Sequence, residues 1–546
     1  MKGSMFKGRW QLSVAIGLVA VLVPAYASAQ DAQSERLQQQ IDTLQRQLQT
    51  LQKQVDSKKT SSADSAYAAD MKVRPLLKAP PPPPPIKMTW GGFLAAESVY
   101  RQHNVVSDMG TSFNAIPYPF SPLYDEHEFR GSARQSRLSL LVEGSIDPMQ
   151  KLAGYYEMDF LGVGVTSNYN QSNSWAPRVR HAYFTYDNSS WGWHLLAGQS
   201  WSLLTQNAVG ITPRKENIPL TIDSNYVAGF NYTRNWQIRM VKDFGSTFAL
   251  ALSLENPAEQ VFTGTGATAN GTSLNGVIVN WANAGNSFLS ANAFQTFNTE
   301  TAPDIIGKVA FDPGWGHFEA LGLVRFFTDN VFNCPVFSPV TGVCAINGVP
   351  GNANSHITTG EGVGGSVLLP VIPTFLDVQA SALYGKGIGR YGAASAIPDV
   401  VVASDGTLSP INALHLLVGA VAHPWAGLDI YGYAGMEKAD TNLFPTLAAP
   451  GVTGFGNPNF TNVGCGIVTS ASFMGGASNC TAINKEIDMA TVGFWQNLAK
   501  GSYGRVAAGL QYEYVIRKSF DTNPGLGGAV STNNNIFLTS LRYYPF

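Results

Sequence analysis

Arg137-Leu138-Ser139-Leu140-Leu141-Val142-Glu143 is the stretch on which the fold turns. In an extended chain Leu138, Leu140 and Val142 fall on one face, and Arg137, Ser139 and Glu143 on the other. The same two-residue period recurs at 155–160, where Tyr156, Met158 and Phe160 oppose Tyr155, Glu157 and Asp159. At 318–326 it places Phe318, Ala320, Val324 and Phe326 against Glu319 and Arg325. Each segment has one lipid-compatible face and one polar face, and segments of this kind run from 88 to 546.

The connections between them alternate in length. Short turns are expected at Asp147-Pro148, 244–246, 312–316, 370–373 and His423-Pro424-Trp425. Between them lie long Gly- and Asn-rich stretches at 103–130, 161–177, 202–224, 329–360, 388–410 and 439–484. Short turns on one side and long loops on the other are the pattern of an antiparallel outer-membrane β-barrel. A soluble β-sandwich lacks that order and carries more surface charge. Counting segments gives eighteen strands if the pair within 273–297 spans the membrane, and sixteen if that pair is a hairpin in an outer loop.

Composition agrees. Of 546 residues 13% are charged and 45% hydrophobic, where soluble proteins carry about 25% charged residues. The mean hydropathy of -0.02 is too low for a bundle of membrane helices. The 11 Trp, 21 Tyr and 29 Phe exclude a disordered chain. A formal charge of -2 argues against a nucleic-acid partner.

The N-terminal region divides into three parts. Lys2, Lys7 and Arg9, an apolar run at 12–23 and Ala27-Ser28-Ala29 make residues 1–29 a secretory signal peptide. Residues 30–56 read as a coiled coil, because Leu37, Ile41, Leu44, Leu48, Leu51 and Val55 keep a strict heptad spacing. Three heptads are marginal alone in water, so association is implied; dimer and trimer both remain open. Residues 57–87 form a linker whose six prolines at 80–85 make a stiff spacer. The barrel domain, 88–546, follows.

Selectivity is sought among the arginines. The barrel region holds 23 basic and 31 acidic residues, a formal -8, yet nine of its 14 arginines fall between 101 and 239. Alternation puts Arg137 and Arg239 on the lumen face, and Arg178 and Arg180 share a face of their strand. A basic wall on adjacent strands is expected, and a guanidinium fork matches a carboxylate. The competing reading is that these arginines pair with Glu97, Glu143, Glu157 and Asp159 and fill the lumen. Arg214 and Lys215, with Glu216 beside them, make loop 202–224 a second basic contributor.

Other clusters carry less. Asp125-Glu126-His127-Glu128 is a solvated loop face or a divalent-cation site bridging lipopolysaccharide. Cys334 with Cys344 and Cys465 with Cys480 each lie within one long loop, so local disulfides are favoured in an oxidising compartment, although four cysteines allow three connectivities. The eight histidines form no HExxH arrangement, and no GxSxG elbow or phosphate-binding loop occurs. No cofactor is implied. A barrel enzyme assembling its site from distant residues is the alternative to a channel, as is a non-selective pore with a structural periplasmic tether.

Several motifs resemble those of the DcaP-like outer-membrane porins. They are Asp304-Ile305-Ile306-Gly307-Lys308-Val309-Ala310-Phe311-Asp312-Pro313-Gly314-Trp315-Gly316-His317, Tyr384-Gly385-Lys386-Gly387-Ile388-Gly389-Arg390-Tyr391-Gly392, Ser253-Leu254-Glu255-Asn256-Pro257 and Ala197-Gly198-Gln199-Ser200-Trp201. The order of signal peptide, coiled coil, linker and barrel is also similar. The resemblance implies a homotrimer of sixteen-stranded barrels in the bacterial outer membrane, admitting small carboxylic acids, with the coiled coil in the periplasm near peptidoglycan. It places 273–297 in an outer loop, and it implies that loop 202–224 folds into the channel. The terminal Tyr544-Pro545-Phe546 resembles the signal read by the barrel assembly machinery, with Arg542 where an apolar residue is usual.

Overall fold

The computed structural model describes residues 86–162, 176–262, 272–274, 277–281, 300–333, 353–445, 451–467 and 480–546. The expected signal peptide, the coiled coil, most of the linker, Cys334 and Cys344 lie outside the described residues. Sixteen strands form the barrel: β1 (Ile86–Arg101), β2 (Arg137–Asp147), β3 (Gln150–Gly162), β4 (Ala176–Asn188), β5 (Trp193–Trp201), β6 (Arg234–Phe244), β7 (Phe248–Glu255), β8 (Asp304–Phe311), β9 (His317–Asn333), β10 (Ala353–Ile372), β11 (Leu376–Lys386), β12 (Asn412–Trp425), β13 (Leu428–Ala439), β14 (Asn484–Gly501), β15 (Gly504–Ser519) and β16 (Ser531–Tyr544). Residues 86 and 87, assigned above to the linker, already belong to β1.

Each strand runs antiparallel to its neighbours, and the ring closes where β1 pairs with β2 at Phe93↔Arg137 and with β16 at Ala95↔Arg542. Closure leaves no unpaired sheet edge, which is what lets a sheet sit in hydrocarbon. The hairpin formed by Thr272–Leu274 and Val277–Trp281 pairs with 329–333, the loop-end extension of β9. It adds no strand to the ring, so the barrel has sixteen strands and not eighteen.

β7 shows why the alternation was readable. Phe248, Leu250, Leu252 and Leu254 point outward and are exposed, while Ala249, Ala251, Ser253 and Glu255 point inward and are buried. A charge on the outward face would cost about 2–4 kcal/mol at the membrane midplane. The motif at the end of β16 obeys the same rule: Phe537, Leu541 and Tyr543 face outward, and Arg542 faces inward to Glu97 at 2.8 Å. Arg542 therefore does not occupy an apolar outward position. Pro545 lies beyond the last ladder residue, where its missing N–H costs little.

One expected turn shifts. His423-Pro424-Trp425 remains in β12, and the chain reverses at 426–427, with Gly427 at φ 94° in the left-handed region. A register irregularity between Ala422 and Trp425 absorbs Pro424, which has no donor for the ladder. Strand pairing with β1 also begins earlier than β2 itself. Glu128–Ser132 pairs with the loop end of β1, residues 133–136 leave the ladder, and β2 then continues the pairing. The detour frees Gln135 to reach into the lumen.

Candidate functional site

Residues 202–233 form a loop that folds into the barrel and follows its inner wall. Its contacts arrive in strand order. Leu203 N–H donates to Glu255 on β7 at 2.8 Å, and Lys308 on β8 donates to the Thr205 carbonyl at 2.7 Å. Asn207 N–H donates to Glu319 on β9 at 3.0 Å, and the Asn217 amide reaches Gln379 on β11. Leu220 N–H donates to the Tyr433 hydroxyl on β13 at 3.2 Å, and Trp495 on β14 donates to the Leu220 carbonyl at 2.7 Å. Ile222 meets Gln511 on β15 through its N–H and Gln135 through its carbonyl. Gly229, at φ 83°, passes so close to β12 that a Cβ there would fall on the Leu416 carbonyl.

Anchoring of this kind explains the apolar residues inside the barrel. Leu417, Tyr431, Tyr433, Ile487, Met489, Val515, Ile536 and Leu538 face inward on β12–β16 and are buried. They pack against Ile222, Val227, Ala228 and Phe230 of the loop, and against Ala393, Ala394 and Ala396 of loop 387–411. On the other side Leu203, Leu204 and Ile211 pack on Val241, Ala251, Ile306, Leu323 and Leu383. Apolar contact thus holds the loops within the lumen, and a space lined mainly by polar and aromatic groups remains beside them.

That space is a cavity of about 440 Å³ between the loop and the wall from β13 through the closing seam to β5. Arg137, Arg180, Arg214, Arg505 and Arg542 line it, as do Glu157, Asp159, Glu216, Asp223 and Asp429. Trp201, Tyr226, Trp495 and Tyr544 supply aromatic faces. A second cavity of about 620 Å³ lies among the long loops. The segment 223–226 borders both: Asp223, Ser224 and Tyr226 line the first, and Asn225 the second.

The wall arginines are fixed by carboxylates. Arg180 Nε lies 2.6 Å from Glu157 and its Nη1 3.0 Å from Asp159, with Tyr226 OH at 3.4 Å from Nη2. Arg178 grips Asp159 with two donors, at 3.0 and 2.7 Å. Arg137 Nε lies 3.6 Å from Glu157. Arginines face the lumen, and of the four acids expected to pair with them Glu97, Glu157 and Asp159 do so, whereas Glu143 makes no ion pair with an arginine among the described residues.

The six basic residues singled out above fall into two groups. Arg137, Arg180 and Arg214 share the cavity, whereas Arg178, Lys215 and Arg239 are not among its lining residues. Arg239 faces inward as the alternation requires but is 1% exposed, donating to Gln237 at 3.0 Å and to the Trp201 carbonyl at 2.6 Å. Its guanidinium is taken up by these wall partners, so Arg239 does not line the cavity. Lys215 is exposed on the loop. Arg505 and Arg542 were missed because β15 and β16 lie far along the chain; their place opposite the outward Leu510 and Leu541 was the available signal.

The acidic run at 125–128 does not converge. Glu128 turns inward to Arg101 and Arg130, each at 3.1 Å, while Glu126 accepts from Asn104 at 3.2 Å. Among the described residues no group of His, Cys, Asp and Glu is arranged to hold a metal. A disulfide joins Cys465 and Cys480.

No protein-family model matches the sequence, and no curated protein matches it. Solved structures do. The outer membrane channel DcaP of Acinetobacter baumannii is similar at a TM-score of 0.53 and 17% identity, over 84% of this chain and 97% of that one. An anion-selective porin from Comamonas acidovorans aligns over 84% of this chain and 98% of its own, at 10% identity and a TM-score of 0.41. Sixteen antiparallel strands closed on themselves, with an inward loop, give this chain the porin fold seen in the outer membrane channel DcaP, in keeping with the motifs that pointed to that family.

Proposed function

We propose that the chain forms a diffusion channel of the bacterial outer membrane for small anionic solutes, (di)carboxylic acids among them. The convergence of five guanidiniums on one lumenal cavity carries this reading. A narrow, low-dielectric passage focuses the field of the charges lining it, so position outweighs the formal -8 of the barrel region. Guanidinium edges offer paired donors to a carboxylate that has shed part of its water. The carboxylates of Glu157 and Asp159 hold Arg137 and Arg180 in place and also temper their attraction, so a solute is bound weakly enough to leave.

The working assembly in this reading is a homotrimer surrounded by lipid and lipopolysaccharide, inserted by the barrel assembly machinery acting on the C-terminal strand with Phe546. β1 starts at the short-turn end of the barrel, which supports a periplasmic place for the coiled coil of residues 30–56, near peptidoglycan. Single-channel recording across a KCl gradient tests the proposal. A reversal potential favouring chloride is expected, and one favouring potassium overturns it.

A further inference from the structure

Five guanidiniums reach the cavity, but they are not equivalent. Arg180 is matched by Glu157 and Asp159, Arg137 by Glu157 at 3.6 Å, and Arg542 by Glu97 at 2.8 Å. Arg505 and Arg214 have no carboxylate partner among the described residues. Arg505 lies over the Tyr544 ring, 3.9 Å from its centroid, and spends one donor on Asn497 at 3.2 Å. Arg214 lies 5.7 Å from the Tyr155 centroid and donates to the Tyr183 hydroxyl at 3.4 Å. Stacking on a tyrosine orients a guanidinium while leaving most of its N–H edge open.

The acids that share the cavity are largely engaged elsewhere. Asp429 accepts from His423 at 2.6 Å, and Asp223 accepts the N–H groups of Thr111 and Asn225. Glu216 stands beside Arg214 in the chain, and its removal from water pushes its carboxyl above the usual range. The five guanidiniums and five carboxyl groups lining the cavity balance formally, so what distinguishes Arg505 and Arg214 is that their guanidinium edges are not closed by a carboxylate.

We propose that Arg505 on β15 and Arg214 on the inward loop are the specificity-determining residues for anions, and that the arginines of β2–β4 mainly shape the wall. This assignment rests on the channel reading above. Both sites sit on the passage itself, one on the barrel and one on the loop, so a solute meets one open guanidinium from each.

The test uses the full-length protein in planar lipid bilayers under a KCl gradient, with R505Q, R214Q, the double variant, R505K and R130Q. Arg130 lies in the segment paired with the loop end of β1, lines neither cavity and serves as an equal loss of charge elsewhere. Each glutamine variant should lower the chloride-to-potassium permeability ratio roughly threefold, and the double variant more, as expected for a focused charge. R505K should keep the ratio near wild type, as should R130Q. A chloride-preferring wild type whose ratio is unmoved in both glutamine variants overturns this assignment and leaves the channel reading standing. A ratio lost equally in R505K overturns it too, because packing on Tyr544 would then be the cause. A potassium-preferring wild type overturns both. Heat-dependent gel mobility of each variant separates lost selectivity from a barrel that fails to fold.

Discussion

Between β2 and β4 the inner wall carries Arg137, Glu157, Asp159, Arg178 and Arg180, whereas between β12 and β16 it carries an apolar patch of Leu417, Tyr431, Ile487, Val515 and Leu538 beside the cavity-lining Asp429, Arg505 and Arg542. Both walls alternate along their strands, and both are covered in part by the same inward loop. The difference lies in what each wall gives that loop. The apolar wall offers surface to bury, at about 25 cal/mol per Å² removed from water, and so it takes the loop as a packed layer. The polar wall spends its charges on pairing with one another, and so the cavity stays open beside it. Where solute can pass is decided by the contrast between the walls.

The contrast can be broken hardest at the polar wall. Arg180→Ala leaves Glu157 and Asp159 with reduced compensation in a buried setting, and about 3–5 kcal/mol of stability should be lost. Urea-induced loss of heat-modifiable gel mobility measures it, and replacing Arg180 and Glu157 together with methionine should recover much of the loss. Leu538→Ala, at the fully buried centre of the apolar wall, should cost about 3 kcal/mol by leaving a cavity. The same measurement reads it, and the ion preference should stay as in wild type because the site lies in the packed layer.

Removing the Cys465–Cys480 disulfide acts on neither wall. The double serine variant frees a loop with a sequence separation of 15 and should lose about 2 kcal/mol of local stability. Faster protease cleavage at 451–483 with unchanged conductance is the expected result. The smallest effect belongs to Glu216. Its carboxyl is raised in the folded protein, so the fold favours its protonated form. Its contribution to stability is therefore greatest under acidic conditions and falls as the pH climbs through the folded value. Chloride preference should increase as pH is lowered through that range, and Glu216→Gln should reduce the pH dependence, Asp223 on the same cavity being raised by burial as well.

Much of the architecture was legible in the chain. The alternation at 137–143, 155–160 and 318–326 named the correct faces, since the period of a strand is a local property of the backbone. The turn at 423–425 was misplaced by a few residues because a proline can end a strand or sit in an irregular rung, and only the ladder distinguishes these. The arginines were placed on the lumen face, but burial of Arg239 could not be read from its own strand. It depends on the Trp201 carbonyl at the end of the neighbouring β5, 38 positions away.

What the sequence determined by itself is therefore the barrel: inward and outward faces, short turns and long loops all follow from neighbours a few residues apart. What only the tertiary structure decided is the passage. Glu97 and Arg542 meet across 445 positions because the last strand closes on the first, and Arg505 joins Arg137 and Arg180 on the same cavity for that reason. The inward loop takes its course from partners on at least eight strands, most contributing one or two side chains. Periodicity carries no information about which distant faces will meet, and it is those meetings that divide a filled lumen from an open one.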